Sequence, residues 1–180
     1  LKRTMVAFGH EETEARRIVI AGGGNIGRGL ARMLSERGRG IKIKMIEYDT
    51  EQAEELSKEL DDVIILNGST LDKSILEEAN IDNSETFVAV TNDDENNILG
   101  SLLAKQYGTK RTITLVNNEV YSSLVGPLGI DAIVSPRSTI VGTIMQNVRR
   151  GRIKSIHNLR DGFAEIIEAE VSESSHIINK

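Results

Sequence analysis

Six short runs of aliphatic and β-branched residues recur along the chain, at 17–21, 42–47, 63–66, 86–91, 112–116 and 132–134. Their apolar residues are mostly consecutive rather than alternating, the pattern of strands buried on both faces. Stretches with helical periodicity separate them. Residues 25–37 place Ile26, Leu30, Met33 and Leu34 on one stripe. Residues 51–60 place Ala53, Leu56 and Leu60 on another, with Thr50 in the N-cap position. Further helices are expected at 71–79, at 95–107, where Ile98, Leu99, Leu102 and Leu103 share a face, and around 120–125. Strand and helix alternating this often predict parallel strands joined by right-handed crossovers. Six strands with five crossovers make a complete Rossmann-type α/β sheet, doubly wound, in the order 3-2-1-4-5-6.

After the sixth strand, Ser135-Pro-Arg-Ser138 supplies an N-cap and a proline at the first helical position. The helix that follows, at 138–150, carries Ile140, Val141, Ile144, Met145 and Val148 on one side. It either packs on its own sheet or crosses to a partner. Beyond it, the extended runs 152–159 and 163–171 flank Arg160-Asp-Gly162, a good hairpin signal. Four segments are therefore expected: a polar linker at 1–16, a nucleotide-binding domain at 17–134, a helix at 135–150, and the start of a small α+β subdomain at 151–180. The first residue is not Met and the last residues look cut from mid-element, so the chain reads as a piece of a longer protein.

Composition narrows the class of function. With no Trp and only three Phe and three Tyr, the core must be aliphatic. The absence of Cys rules out disulfides, thiolate metal sites and a cysteine nucleophile. A net charge of −5 without a basic block argues against a nucleic-acid partner. No apolar run approaches the roughly 18 residues of a membrane span, and the N-terminus lacks a signal-peptide core. A cytoplasmic location without direct membrane insertion is the expectation.

The glycines carry the chemistry. Gly22-x-Gly24-x-x-Gly27 follows a strand and opens a helix inside a βαβ unit, the context that makes this motif credible. Gly22 takes the tight turn, Gly24 lets a pyrophosphate approach the backbone, and Gly27 lets the helix lie close to the strand. The amides of Asn25, Ile26 and Gly27 would point at the phosphates, assisted by the helix dipole. Glu47, at the end of the second strand, is placed to accept hydrogen bonds from a ribose diol and to repel a 2′-phosphate. The site should then prefer NAD or another adenosine nucleotide over NADP. Gly68, Ser69 and Thr70 after strand three, and Thr91 and Asn92 after strand four, fall at carboxyl ends of strands. Each can contact ligand, cap the following helix, or do both. Arg28 reads as a first-turn surface residue or a phosphate clamp. Asp93-Asp-Glu95 reads as helix-capping acids or, less simply, as a metal cluster.

A nicotinamide dehydrogenase needs a group that moves a proton with the hydride. The histidines, His10, His157 and His176, all lie outside 17–134. Tyr48 falls beside the ribose position and Tyr107 near a helix end, and neither begins a Tyr-x-x-x-Lys pattern. There is no P-loop. The chain thus supplies binding without chemistry, and no catalytic residue or metal ligand is assigned. A regulatory nucleotide-binding module is favoured over a fragment of an NAD-dependent dehydrogenase. A Rossmann scaffold that binds nothing is the third reading.

Arg17-Ile-Val-Ile-Ala-Gly-Gly-Gly-Asn-Ile-Gly27, Met45-Ile-Glu-Tyr-Asp49, Asn67-Gly-Ser-Thr70, Thr91-Asn-Asp-Asp-Glu-Asn96 and Val134-Ser-Pro-Arg-Ser138 together resemble the regulator-of-K⁺-conductance domains, also called RCK, KTN or TrkA-N domains. The resemblance covers roughly 17–150, and the hairpin from Gly151 is similar to the start of the attached C-terminal subdomain. It implies binding of NAD(H), or alternatively ATP or ADP, by Gly22, Gly24, Asn25, Ile26, Gly27 and Glu47. Gly68, Ser69, Thr70, Thr91 and Asn92 would line the rest. It also implies a homodimer formed through the helix at 138–150, assembly into a ring, and a membrane potassium channel or transporter as partner. The family loop after strand three often reads Gly-Asp-Ala-Thr; here Asn67-Gly-Ser-Thr70 lacks that carboxylate.

Overall fold

The computed structural model describes residues 15–37, 40–148, 153–159 and 164–169, and the chain divides into two compact units, 1–134 and 135–180. In the first unit the order is β1 (Arg17–Ala21), α1 (Asn25–Arg37), β2 (Lys42–Glu47), α2 (Thr50–Glu59), β3 (Val63–Asn67), α3 (Lys73–Glu78), β4 (Thr86–Ala89), α4 (Asp94–Gln106), β5 (Arg111–Leu115), α5 (Glu119–Val125) and β6 (Ala132–Val134). The strands form one sheet in the order β3-β2-β1-β4-β5-β6, parallel throughout. This is the Rossmann-type topology expected from the strand count.

Each face of the sheet buries its own aliphatic layer. Ala31, Leu56 and Leu60 from the first two crossovers cover Ile18, Ile20, Ile43, Met45, Val63 and Val88. Leu76, Ala79 and Ala104 cover the opposite side chains, Val19, Ala21, Ile46, Leu66, Phe87 and Ala89. Alternate residues of β1, β2 and β4 thus enter opposite layers, so these strands lack a polar face.

The helices depart from their apolar stripes in an instructive way. On α1 the buried positions are Gly27 and Ala31, while Ile26 and Met33 are more than half exposed at 51% and 58%. On α4 the buried positions are Asp94, Asn97, Gly100, Ser101 and Ala104, and Leu99 is exposed. Small residues win because they bring the helix axis close to the sheet, and Ser101 accepts a 2.7 Å hydrogen bond from Thr114 of β5. The cap of α2 is Asp49 rather than Thr50: its carboxylate accepts the Gln52 amide at 2.8 Å, while the Thr50 hydroxyl donates to Asn67. A carboxylate gains from the helix dipole where a hydroxyl does not. Helix α4 likewise starts one residue earlier than expected, because Asp93 accepts the Asn96 amide at 2.9 Å.

In the second unit, α6 (Pro136–Val148) begins two residues before the expected start. Proline fits the first turn, and the Ser135 carbonyl accepts the Thr139 amide at 3.1 Å. Ile140, Val141 and Ile144 are exposed on it. Strands β7 (Ile153–Leu159) and β8 (Ala164–Ala169) pair antiparallel. The expected Asp-Gly turn, most of the linker at 1–16, the end of the helix at 149–150, and 170–180 lie outside the described residues.

Two carboxylates stitch the amino ends of the strands. Glu85 accepts the amides of Arg16 and Arg17 and pairs with the Arg17 guanidinium; the backbone bonds come first in holding its carboxyl below the usual range. Burial pushes the Asp131 carboxyl up, but the Lys105 ammonium and the Thr112 amide and hydroxyl outweigh it and leave it lowered. A carboxylate lowered in the folded state contributes stability above its unfolded pKa of about 4 and loses it as pH falls through the folded value. Urea unfolding should therefore show a stability that falls below about pH 4, and Asp131→Asn should flatten that part of the profile while lowering stability at pH 7.

Candidate functional site

The carboxyl edge of β1 leads into a turn that only glycine can make. Gly22 has φ +98°, and a β-carbon there would lie 2.9 Å from the Thr91 backbone nitrogen. Its amide donates to the Ile46 carbonyl at 2.8 Å, which ties the turn to the end of β2. A β-carbon on Gly27 would sit 1.9 Å from the Gly22 carbonyl oxygen, so α1 rests directly on the turn. Gly24 is the opposite case: no atom lies within 4 Å of its would-be β-carbon. Gly22, Gly23 and Gly27 are buried, whereas Gly24, Asn25 and Ile26 are exposed. Asn25, Ile26 and Gly27 open α1, where backbone amides have no carbonyl partner within the helix. The arrangement leaves an exposed flank at the start of a helix, where amide donors suit an anion.

Glu47 closes one side of this turn. It is 8% exposed, its Oε2 accepts the Gly23 amide at 2.6 Å, and its Oε1 accepts the Asp49 amide at 2.9 Å. The Glu47 carbonyl receives the Gly68 amide at 2.9 Å and the Asn67 side-chain amide at 3.0 Å. The sequence placed Glu47 near a ribose; that its carboxylate also grips the glycine turn was not legible, because the partner is a backbone amide. Two accepted bonds leave a carboxylate further lone pairs, so both roles fit one group.

The remaining residues divide. Gly68 packs against Ile75, which lies 2.6 Å from a would-be β-carbon, and Thr70 is 8% exposed with its hydroxyl facing Gly100. Ser69 is half-buried and its hydroxyl accepts the Leu71 amide at 3.2 Å. Thr91 meets the Gly22 turn, and Asn92 is exposed at the mouth of a neighbouring cavity. Arg28 is half-buried and pairs with Glu59 at 3.1 Å.

The residue that sequence reasoning missed is Asn97. It is wholly buried; its Oδ1 accepts from the Thr91 amide and hydroxyl at 2.9 and 2.7 Å, and its Nδ2 donates to the Thr91 and Leu115 carbonyls. The sequence offered no clear signal, because Asn97 is one of several polar residues in the first turn of α4. Asp94 does similar service one turn earlier, accepting the Asn117 and Asn118 amides and the Asn117 side chain. Asp94, Asn117 and Asn118, with Asn92, Asp93, Glu95 and Tyr121, line a shallow, open depression of about 400 Å³. Tyr121 donates to Glu95 at 2.5 Å, and that bond pushes its phenol up. Asp93 serves as the α4 cap, and among the described residues no cluster of His, Asp or Glu could hold a metal ion. His157 lies on β7 of the second unit.

The family model described as the TrkA-N domain matches residues 18–136. The chain belongs to the TrkA-N family. It is 45% identical over 178 residues to the Trk system potassium uptake protein TrkA of Azorhizobium caulinodans, covering 99% of this chain and 39% of that protein. The TrkA-N chain thus spans well under half the length of the curated relatives it matches. A structure of the GsuK channel bound to NAD superposes with a TM-score of 0.65 at 22% identity, over 85% of this chain and 27% of that one. A structure of GsuK bound to ADP gives 0.60 at 24%, over 73% and 34%. These two likenesses show the fold.

Glu47→Gln tests the hold of this carboxylate on the turn. Glutamine presents one NH₂ where two backbone donors now point, so one of the Gly23 and Asp49 amides loses its acceptor. The substituted chain should unfold in urea with about 1–2 kcal/mol less stability than the parent. Equal stability would show that the carboxylate does not hold the turn.

Proposed function

We propose that this TrkA-N chain is a nucleotide-sensing regulatory module of a potassium uptake system, acting from the cytoplasm on a membrane transporter subunit. The observation that carries the reading is the preformed cradle: a buried Glu47 fixed on the Gly23 amide, beside an open Gly24 at the start of α1. A NAD(H), ATP or ADP diphosphate would rest on the amides of Gly24, Asn25, Ile26 and Gly27, with Glu47 taking the ribose diol. Gly22 would shape the turn, and Gly68, Ser69, Thr70, Thr91 and Asn92 would border the ligand. The printed names of the relatives and neighbours supply the context, potassium uptake for one and NAD or ADP for the other. None of the groups at this edge is a histidine, and no proton-transfer role is assigned, so the module is read as a sensor and not an enzyme.

Sensing would work by population shift. A nucleotide held between the turn after β1 and the loops after β2 and β4 favours whichever arrangement of paired domains closes on it better. It moves the equilibrium only by its difference in affinity for the two arrangements. Pairing as a homodimer through α6, and further into a ring, belongs to this proposal; Ile140, Val141 and Ile144 are the apolar side chains it would cover.

Calorimetric titration with NAD⁺, NADH, ATP, ADP and NADPH tests the reading. At least one adenine nucleotide should bind, NADPH should bind at least about tenfold more weakly than NADH, and Glu47→Ala should weaken the preferred ligand by about tenfold or more. A folded chain that binds none of the five would overturn it.

A further inference from the structure

The end of β2 carries a second feature that the cradle does not use. Tyr48 follows Glu47 directly and is 80% exposed, the most exposed large apolar side chain among the described residues. The other described aromatics are committed elsewhere: Phe87 is fully buried, Tyr107 packs on the core, and Tyr121 is tied to Glu95. A free aromatic ring in water gains nothing for the fold.

Its backbone, by contrast, is fixed. The Asn67 side-chain amide donates to the Tyr48 carbonyl at 3.2 Å, the next amide donates to Glu47, and Asp49 caps α2. Tyr48 is therefore an exposed ring on a rigid mount. Met45 lies in the layer under α1 and α2, Ile46 in the layer under α3 and α4, and Glu47 returns to the Gly23 side. Tyr48 stands at the bend where β2 ends, one residue beyond the group assigned to the ribose. A base attached to that ribose must leave it on one side or the other, and the flat face on offer is the Tyr48 ring.

We propose that Tyr48 is the base platform of this site: its ring stacks on the adenine of a bound nucleotide and favours purine nucleotides over the bare ribose phosphate. The inference rests on the nucleotide-sensing reading. A stacked base contributes enough that removing its platform weakens binding on the order of tenfold. Phenylalanine keeps the π face and loses only the hydroxyl.

The test is titration of ADP into the parent, Tyr48→Ala and Tyr48→Phe, with proton NMR of the Tyr48 ring. High exposure makes both substitutions harmless to folding, which thermal unfolding checks. The proposal expects Tyr48→Ala to bind ADP about tenfold more weakly, Tyr48→Phe to stay within about twofold, and the ring protons to move upfield when ADP is added. ADP binding equal in parent and Tyr48→Ala overturns the platform while leaving the sensor intact. A loss in Tyr48→Phe as large as in Tyr48→Ala overturns stacking in favour of a hydroxyl contact. If the parent binds neither ADP nor NAD⁺, the sensor reading has failed and the platform with it.

Discussion

A carboxylate at 8% exposure is costly unless its charge is met, and the Glu47 charge is met by backbone amides. No cation is needed. The Gly23 amide at 2.6 Å and the Asp49 amide at 2.9 Å supply charge-assisted bonds from opposite sides, one from the turn after β1 and one from the start of α2. The consequence is geometric: two loops from neighbouring strands are pinned to one side chain. The tight turn at Gly22, the seat of α1 on Gly27 and the open flank at Gly24 all sit within reach of that pin. The proposed nucleotide would meet a turn already ordered by the fold.

Asn97 performs the corresponding task on the other side of the turn. It bonds to both ends of the Thr91 peptide group region and to the carbonyl of Leu115, and so binds the loop after β4 to the end of β5. A Gly22 side chain would strike Thr91, so the loop after β4 sits directly against the glycine turn. Asp94 extends the same construction to the loop leading into α5 through Asn117 and Asn118. Buried polar groups of this kind hold one geometry when every member is satisfied.

Much of this was readable in the sequence, and the part that was not has a common cause. Runs such as Ile18-Val-Ile-Ala21 and Met45-Ile46 read as strands buried on both faces, and six such strands alternating with helices imply the observed strand order. Helix faces were less legible. Periodicity favours large apolar residues, yet α1 and α4 approach the sheet through Gly27, Ala31, Gly100 and Ala104, leaving Ile26, Met33 and Leu99 outside. The side-chain-to-backbone ties were not legible at all. Glu47 to Gly23 spans 24 residues and Asp94 to Asn117 spans 23, and a backbone acceptor or donor leaves no mark on residue identity.

An adenine nucleotide is proposed to lie on the turn that Glu47 holds. Amide NMR of the uniformly ¹⁵N-labelled chain, recorded as NAD⁺ or ADP is added, tests it most directly. The account predicts that shifts concentrate at Gly23, Gly24, Asn25, Ile26, Asp49 and Thr91, while the amides of the second unit respond less. A spectrum unchanged by saturating nucleotide, or shifts gathered away from the carboxyl edge of β1 and β2, would contradict it.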